Sequence, residues 1–147
     1  MLDDQIRLEK PLLITSKQKE EYLEDGAVLI ESIVSEKWLK RIRSASNEII
    51  ERSREIEESN SQYILEEGHS KNNPRLKRLS SPVDHHSTFW DFISNEMSSQ
   101  LAADVVGPNV KYHHSKLNYK WANGGTEFDW HQDIQSWPHT DYSPVTL

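Results

Sequence analysis

Cysteine is absent from the 147 residues, which excludes disulfides and thiolate zinc sites but does not by itself fix the compartment. Surplus positive charge is absent too. Seventeen Lys and Arg stand against 24 Asp and Glu, a formal charge of −7, whereas a nucleic-acid binder needs a basic face for its phosphate contacts. There is no run of about 18 apolar residues such as a membrane helix requires. Met1-Leu2-Asp3-Asp4 lacks the basic and apolar regions of a signal peptide, and no internal repeat is visible. These absences leave a cytoplasmic protein of one domain as the expectation, with the acidity serving solubility. What the chain does have is tryptophan, and Trp121, Trp130 and Trp137 all fall in its last third, as a largely dry pocket there would require.

Helix and strand signals alternate along the chain. Thr15 or Ser16 can cap a short helix running to about Leu23, stopped by Gly26 in the left-handed conformation. Ala27 to Ile30 reads as a short strand. Ser35 caps a longer helix, with Trp38, Ile42, Ala45, Ile49 and Ile56 forming one apolar stripe and the Glu and Arg residues from Glu48 to Glu58 forming a solvated face. Residues 59–87 carry Asn, Ser, Gly and Pro without a clear period and read as a long loop with at most short elements. Helices follow near 88–94 and 96–106, closed by Gly107-Pro108. Val110 to Trp121 is a long strand candidate, Asn123-Gly124-Gly125 a turn, and 127–133 the next strand.

Chemistry concentrates at the end of that last strand, in Trp130-His131-Gln132-Asp133. Successive side chains of an extended segment point to opposite faces, so the His131 imidazole and the Asp133 carboxylate emerge together and converge on one point. That is two ligands of the two-His-one-carboxylate triad that holds non-heme Fe(II) and leaves positions open. A second His-x-Asp, His139-Thr140-Asp141, follows Pro138 among turn-forming residues and reads as a solvated loop. A lone histidine outside the motif, such as His69, His85, His86 or His113, is more often structural than ligating.

Gly107-Pro108-Asn109-Val110, then His114-Ser115-Lys116-Leu117-Asn118-Tyr119-Lys120, a Gly-containing turn, Trp130-His131-Gln132-Asp133 and Trp137-Pro138 together resemble the phytanoyl-CoA dioxygenase family of Fe(II)- and 2-oxoglutarate-dependent oxygenases. Tyr22 to Val28 is similar to the family's opening helix, glycine and strand. The resemblance implies an α+β fold, a partial double-stranded β-helix (a cupin-like jelly roll) with N-terminal helices packed on the sheet. It implies one incomplete oxygenase domain over 1–147, with a helical and first-strand part at 1–107 and jelly-roll strands at 108–147. The distal histidine and the arginine that pairs with 2-oxoglutarate lie beyond the matched half, so the expectation is an N-terminal fragment, inactive by itself.

The implied reaction is oxidative decarboxylation of 2-oxoglutarate to succinate and CO2, using O2 and Fe(II), coupled to hydroxylation of a small molecule. His131 and Asp133 match iron ligands. Lys116, Asn118 and Gln132 match the co-substrate site, where an ammonium and an amide suit an anionic keto acid. On strand 110–121 period two places His114, Lys116, Asn118 and Lys120 on one face. Two readings stand for each remaining candidate: His114 binds substrate or hydrogen-bonds within the barrel, Trp137 walls the substrate pocket or packs the core, and Arg78 of the Arg75, Lys77, Arg78 cluster approaches 2-oxoglutarate or sits in a solvated loop. Family members that act as halogenases replace the carboxylate of the motif with a small residue; Asp133 therefore favours hydroxylation. The competing readings are a non-catalytic jelly-roll binding protein with a vestigial metal site and a cupin-like metal enzyme using no 2-oxoglutarate. Nothing here indicates a nucleic-acid or membrane partner, and neither substrate nor oligomeric state can be read.

Overall fold

The computed structural model describes residues 12–131, 133–136 and 144–147, apart from the side chains of 134 and 135. Its helices are α1 (Ser16–Asp25), α2 (Glu36–Arg52), α3 (Pro82–His85), α4 (Ser87–Ile93) and α5 (Glu96–Val106). Its strands are β1 (Tyr63–Leu65), β2 (Leu76–Ser80) and β3 (Lys116–Asn118), antiparallel in the order β1-β2-β3. The fold is thus α+β. No helix among the described residues is long and apolar enough to cross a membrane.

Capping chemistry sets the helix ends. Thr15, rather than Ser16, caps α1: its hydroxyl accepts from the Gln18 amide while the Gln18 side chain accepts from the Thr15 amide, a reciprocal capping box. Gly26, at φ 75°, ends α1 in the left-handed region that only glycine enters without steric cost. Ser35 caps α2, whose Ala45 and Ile49 are buried. The Asp104 carboxylate of α5 accepts from the amides of Leu13 and Ile14, tying the chain entering α1 to the far helix.

The core gathers Ala45, Ile49, Leu76, Leu79 and Phe89, with Ile42, Tyr63, Leu65, Val83, Leu117 and Tyr119 packed around them. Strict alternation cannot bury both Leu76 and Leu79, which are three residues apart. The register resolves this: Ile64 pairs with Arg78 but Leu65 pairs with Leu76, so Lys77 is an extra residue on β2. Such a bulge turns both leucines to the helices.

Four sequence expectations are corrected here, and a fifth is made definite. Within 59–87, read as a long loop with at most short elements, those elements are β1, β2 and α3, and the bulge erases the two-residue period that would have disclosed β2. No strand forms at 27–30, where Leu29 is exposed and has no neighbouring strand among the described residues. The long strand at 110–121 contracts to β3. The expected strand at 127–133 is not formed: 127–131 belong to no strand, and a short 3-10 turn (Asp133–Ser136) begins at the carboxylate of the motif. The apolar stripe of α2 also stops short: the helix ends at Arg52, and Ile56 lies beyond a 3-10 turn.

Candidate metal centre

β3 is the platform. Leu117 and the following Tyr119 pack toward the core, which leaves Lys116 and Asn118 on the outer face. Arg78 pairs with Asn118 in register, and its guanidinium Nε donates to Asn118 Oδ1 at 3.0 Å, so this residue belongs to β2 and not to a solvated loop. Lys116 Nζ donates to Asp133 Oδ1 at 2.9 Å, with both side chains about one third exposed (33% and 31%). The same carboxylate oxygen lies 3.5 Å from His131 Nε2.

His131 and Asp133 therefore do converge, through an irregular segment and a 3-10 turn instead of through strand alternation. His131 Nδ1 lies 2.8 Å from the Asp129 carbonyl oxygen. A carbonyl can only accept, so this contact places a proton on Nδ1, and in the neutral imidazole Nε2 is then the nitrogen whose lone pair faces Asp133. Metal-bound histidines are oriented in the same manner, by a second hydrogen bond from the other ring nitrogen. Two lone-pair donors facing one another across 3.5 Å fit adjacent ligand positions on one cation. Among the described residues no set of three His, Cys, Asp or Glu side chains that could hold a metal is assembled.

Cationic side chains set the electrostatics around the Asp133 carboxylate. The hydrogen bond from Lys116 holds the Asp133 carboxyl below its ordinary range, with smaller help from the nearby charges of Lys116, His131 and His114 against a desolvation cost. Desolvation, reinforced by His113 and Lys116, lowers the His114 imidazole, and Asp133 opposes this. His113 and His114 meet at Nδ1–Nδ1 2.7 Å. Around the Phe128 ring stand Lys120, Lys77 and Arg78, at 4.0, 5.7 and 5.7 Å from its centre. Cations facing one aromatic ring are attracted by its negative face, and together they present positive charge beside Asn118.

The other histidines serve the scaffold. His69 bridges the Ile56 carbonyl and the Arg75 amide, His85 contacts the Tyr63 hydroxyl, and His86 caps α4 while facing Glu48. Gln132, Trp137, His139 and Asp141 lie outside the described residues or, for Gln132, between them. Sequence reasoning missed Glu66 and Thr126, which meet beneath the turn leading to the motif, and it left Arg75 in a solvated cluster. An isolated Glu in a polar stretch gives no signal of its own; only the pairing of β1 with β2 brings it under residue 126.

Residues 22–146 match the sequence model of the phytanoyl-CoA dioxygenase (PhyH) family. The chain belongs to this family. A probable alpha-ketoglutarate-dependent hypophosphite dioxygenase of Stutzerimonas stutzeri is 27% identical over 132 residues, covering 90% of this chain and 46% of that protein. An ectoine dioxygenase of Nocardia farcinica is 24% identical, covering 90% of this chain and 42% of that protein. A 2-aminoethylphosphonate dioxygenase of an uncultured bacterium is likewise 24% identical, covering 81% of this chain and 44% of its own length. The chain thus spans less than half the length of these curated relatives.

Proposed function

We propose that the complete protein is a non-heme Fe(II)- and 2-oxoglutarate-dependent dioxygenase that hydroxylates a small molecule in the cytoplasm, and that residues 1–147 belong to its oxygenase domain, with a helical and first-strand part at 1–107 and jelly-roll strands at 108–147. The observation that carries the proposal is the convergence of His131 Nε2 and Asp133 Oδ1, with His131 Nδ1 tied back to the Asp129 carbonyl. Membership of the phytanoyl-CoA dioxygenase family supports it, as do relatives that are dioxygenases of small molecules. His131 and Asp133 would hold the iron, with a third ligand from outside the described residues. The bound iron would supply oxygen activation. Lys116, Asn118 and Arg78 offer an ammonium, an amide and a guanidinium to a keto dicarboxylate, and Gln132 is assigned to the same site by its place in the motif. Substrate contacts fall to His114 and Trp137. Asp133 would fill the position that halide takes where a small residue replaces the carboxylate, which favours hydroxylation.

One alternative is a jelly-roll binding protein whose metal pair is vestigial. Succinate release by the complete protein separates the two. The enzyme forms succinate from 2-oxoglutarate only with Fe(II) and O2, loses the activity to a chelator and regains it on adding Fe(II). A protein that binds 2-oxoglutarate without forming succinate under any of these conditions would establish the alternative.

A further inference from the structure

The path from β3 to His131 poses a mechanical problem. After Asn118 the sheet ladder ends, yet metal ligands must be held to within about 0.5 Å, a precision that irregular segments seldom give unaided. Side chains from the β1–β2 connection take over from the ladder. Trp121 Nε1 donates to the Leu76 carbonyl at 2.8 Å, and Arg75 Nη2 donates to the carbonyls of Asn123 and Gly124 at 2.6 and 3.1 Å. The Glu66 carboxylate accepts from both the amide (2.9 Å) and the hydroxyl of Thr126. The turn itself is tight: a Cβ at Gly125 would meet the Trp121 carbonyl oxygen at 3.0 Å and amide nitrogen at 3.1 Å, so any larger residue there would push the turn apart by a few tenths of an ångström.

Glu66 is only 6% exposed. A buried carboxylate is costly unless its oxygens are hydrogen-bonded, so Thr126 cannot leave without stranding a charge. Among the described residues Thr126 is the last point before His131 at which the backbone is bonded to the body of the fold, apart from the Asp129 carbonyl that serves His131 itself. Lys120 Nζ adds a bond to the Thr126 carbonyl at 3.2 Å.

We propose that Glu66 and Arg75 are positioning residues for the metal pair: by clamping residues 121–126 they fix where His131 and Asp133 arrive on the face of β3. This rests on the metal reading of the site given above. Neither residue touches the reacting groups; both act through the turn.

The test uses the complete protein well below its unfolding midpoint, with Mn(II) affinity and amide hydrogen exchange over 126–131 as readouts. Glu66→Leu should accelerate exchange at Thr126 and through 131, and weaken Mn(II) binding about tenfold or more, as loss of an outer-shell partner does. Glu66→Gln keeps an acceptor oxygen and should restore both readouts, which a loss of general stability would not distinguish. Thr126→Val, which deletes only the hydroxyl, supplies the same comparison if Glu66→Leu fails to fold, with Thr126→Ser as its rescue. Folded Glu66→Leu or Thr126→Val with wild-type Mn(II) affinity overturns the proposal, as does equal weakening in the rescuing variants. If the unmodified protein binds no Mn(II), the metal reading itself fails; exchange then decides the clamp, and unchanged exchange over 126–131 in Glu66→Leu overturns it.

Discussion

Replacing Lys116 by Met keeps the aliphatic stem and deletes the ammonium that lies 2.9 Å from Asp133 Oδ1. Two consequences of opposite sign follow. In the metal-free protein the ammonium neutralises a carboxylate that must open toward the metal, so Lys116 competes with the ion for Asp133. A pair about one third exposed contributes roughly 0.2–1 kcal/mol net, so Lys116→Met should bind Mn(II) up to about fivefold more tightly. For 2-oxoglutarate the change removes a charge-assisted hydrogen bond worth roughly 1.5–3 kcal/mol, and affinity should fall about ten- to a hundredfold. Calorimetric titration of the complete protein, first with Mn(II) and then with 2-oxoglutarate under anaerobic conditions, measures both. Unchanged 2-oxoglutarate affinity together with weakened Mn(II) binding would refute the reasoning and leave Lys116 as a brace for Asp133. The ion pair also has a pH signature. The folded carboxyl of Asp133 is depressed, so its stabilisation is fully present above the ordinary carboxylate range and is lost as pH falls through the depressed value. The stability gap between wild type and Lys116→Met should accordingly close on acidification, and a gap that widens in acid would contradict the pairing.

Asp133→Ala should abolish succinate formation in the complete protein, whereas Asp141→Ala should retain most of it; equal loss in both would assign the metal to the second His-x-Asp or give that pair a structural role. Leu79→Ala removes a fully buried side chain from the middle of β2 and should cost about 2–5 kcal/mol in denaturant unfolding, and a cost below about 1 kcal/mol would mean that β2 is not the centre of the core. Thr15→Ala breaks the capping box of α1 and should cost about 0.5–2 kcal/mol, with no change in Mn(II) affinity.

Apart from the four-residue α3, the helices were legible in the sequence because their signals are local. Thr15 with Gln18, Ser35, Gly26 and Gly107 fix their own neighbourhoods through caps and glycine conformations that need no distant partner. The strands were not. β2 is written Leu76-Lys77-Arg78-Leu79-Ser80, and its apolar spacing of three makes sense only once the bulge opposite β1 is known. Residues 110–121 carried the alternation of a long strand, but among the described residues strand pairing with β2 covers only Lys116 to Asn118. The motif itself was found on a rule that does not apply here, since 127–133 is not extended throughout. Its two donors nevertheless face each other, because the Asp129 carbonyl orients one and Lys116 the other. Glu66 and Thr126 are 60 residues apart, and no local pattern links them.

The central claim, that His131 and Asp133 hold one metal ion through His131 Nε2, is tested most directly by the proton on the opposite nitrogen. In the complete protein loaded with Co(II), an imidazole N–H on a ligating ring is shifted far outside the normal proton spectrum, and one hydrogen-bonded to a carbonyl exchanges slowly enough to be seen. The account predicts such a resonance from His131 Nδ1–H, bonded to the Asp129 carbonyl, which disappears in His131→Gln and persists in His139→Gln and His114→Gln. Persistence of every shifted imidazole resonance in His131→Gln would contradict it.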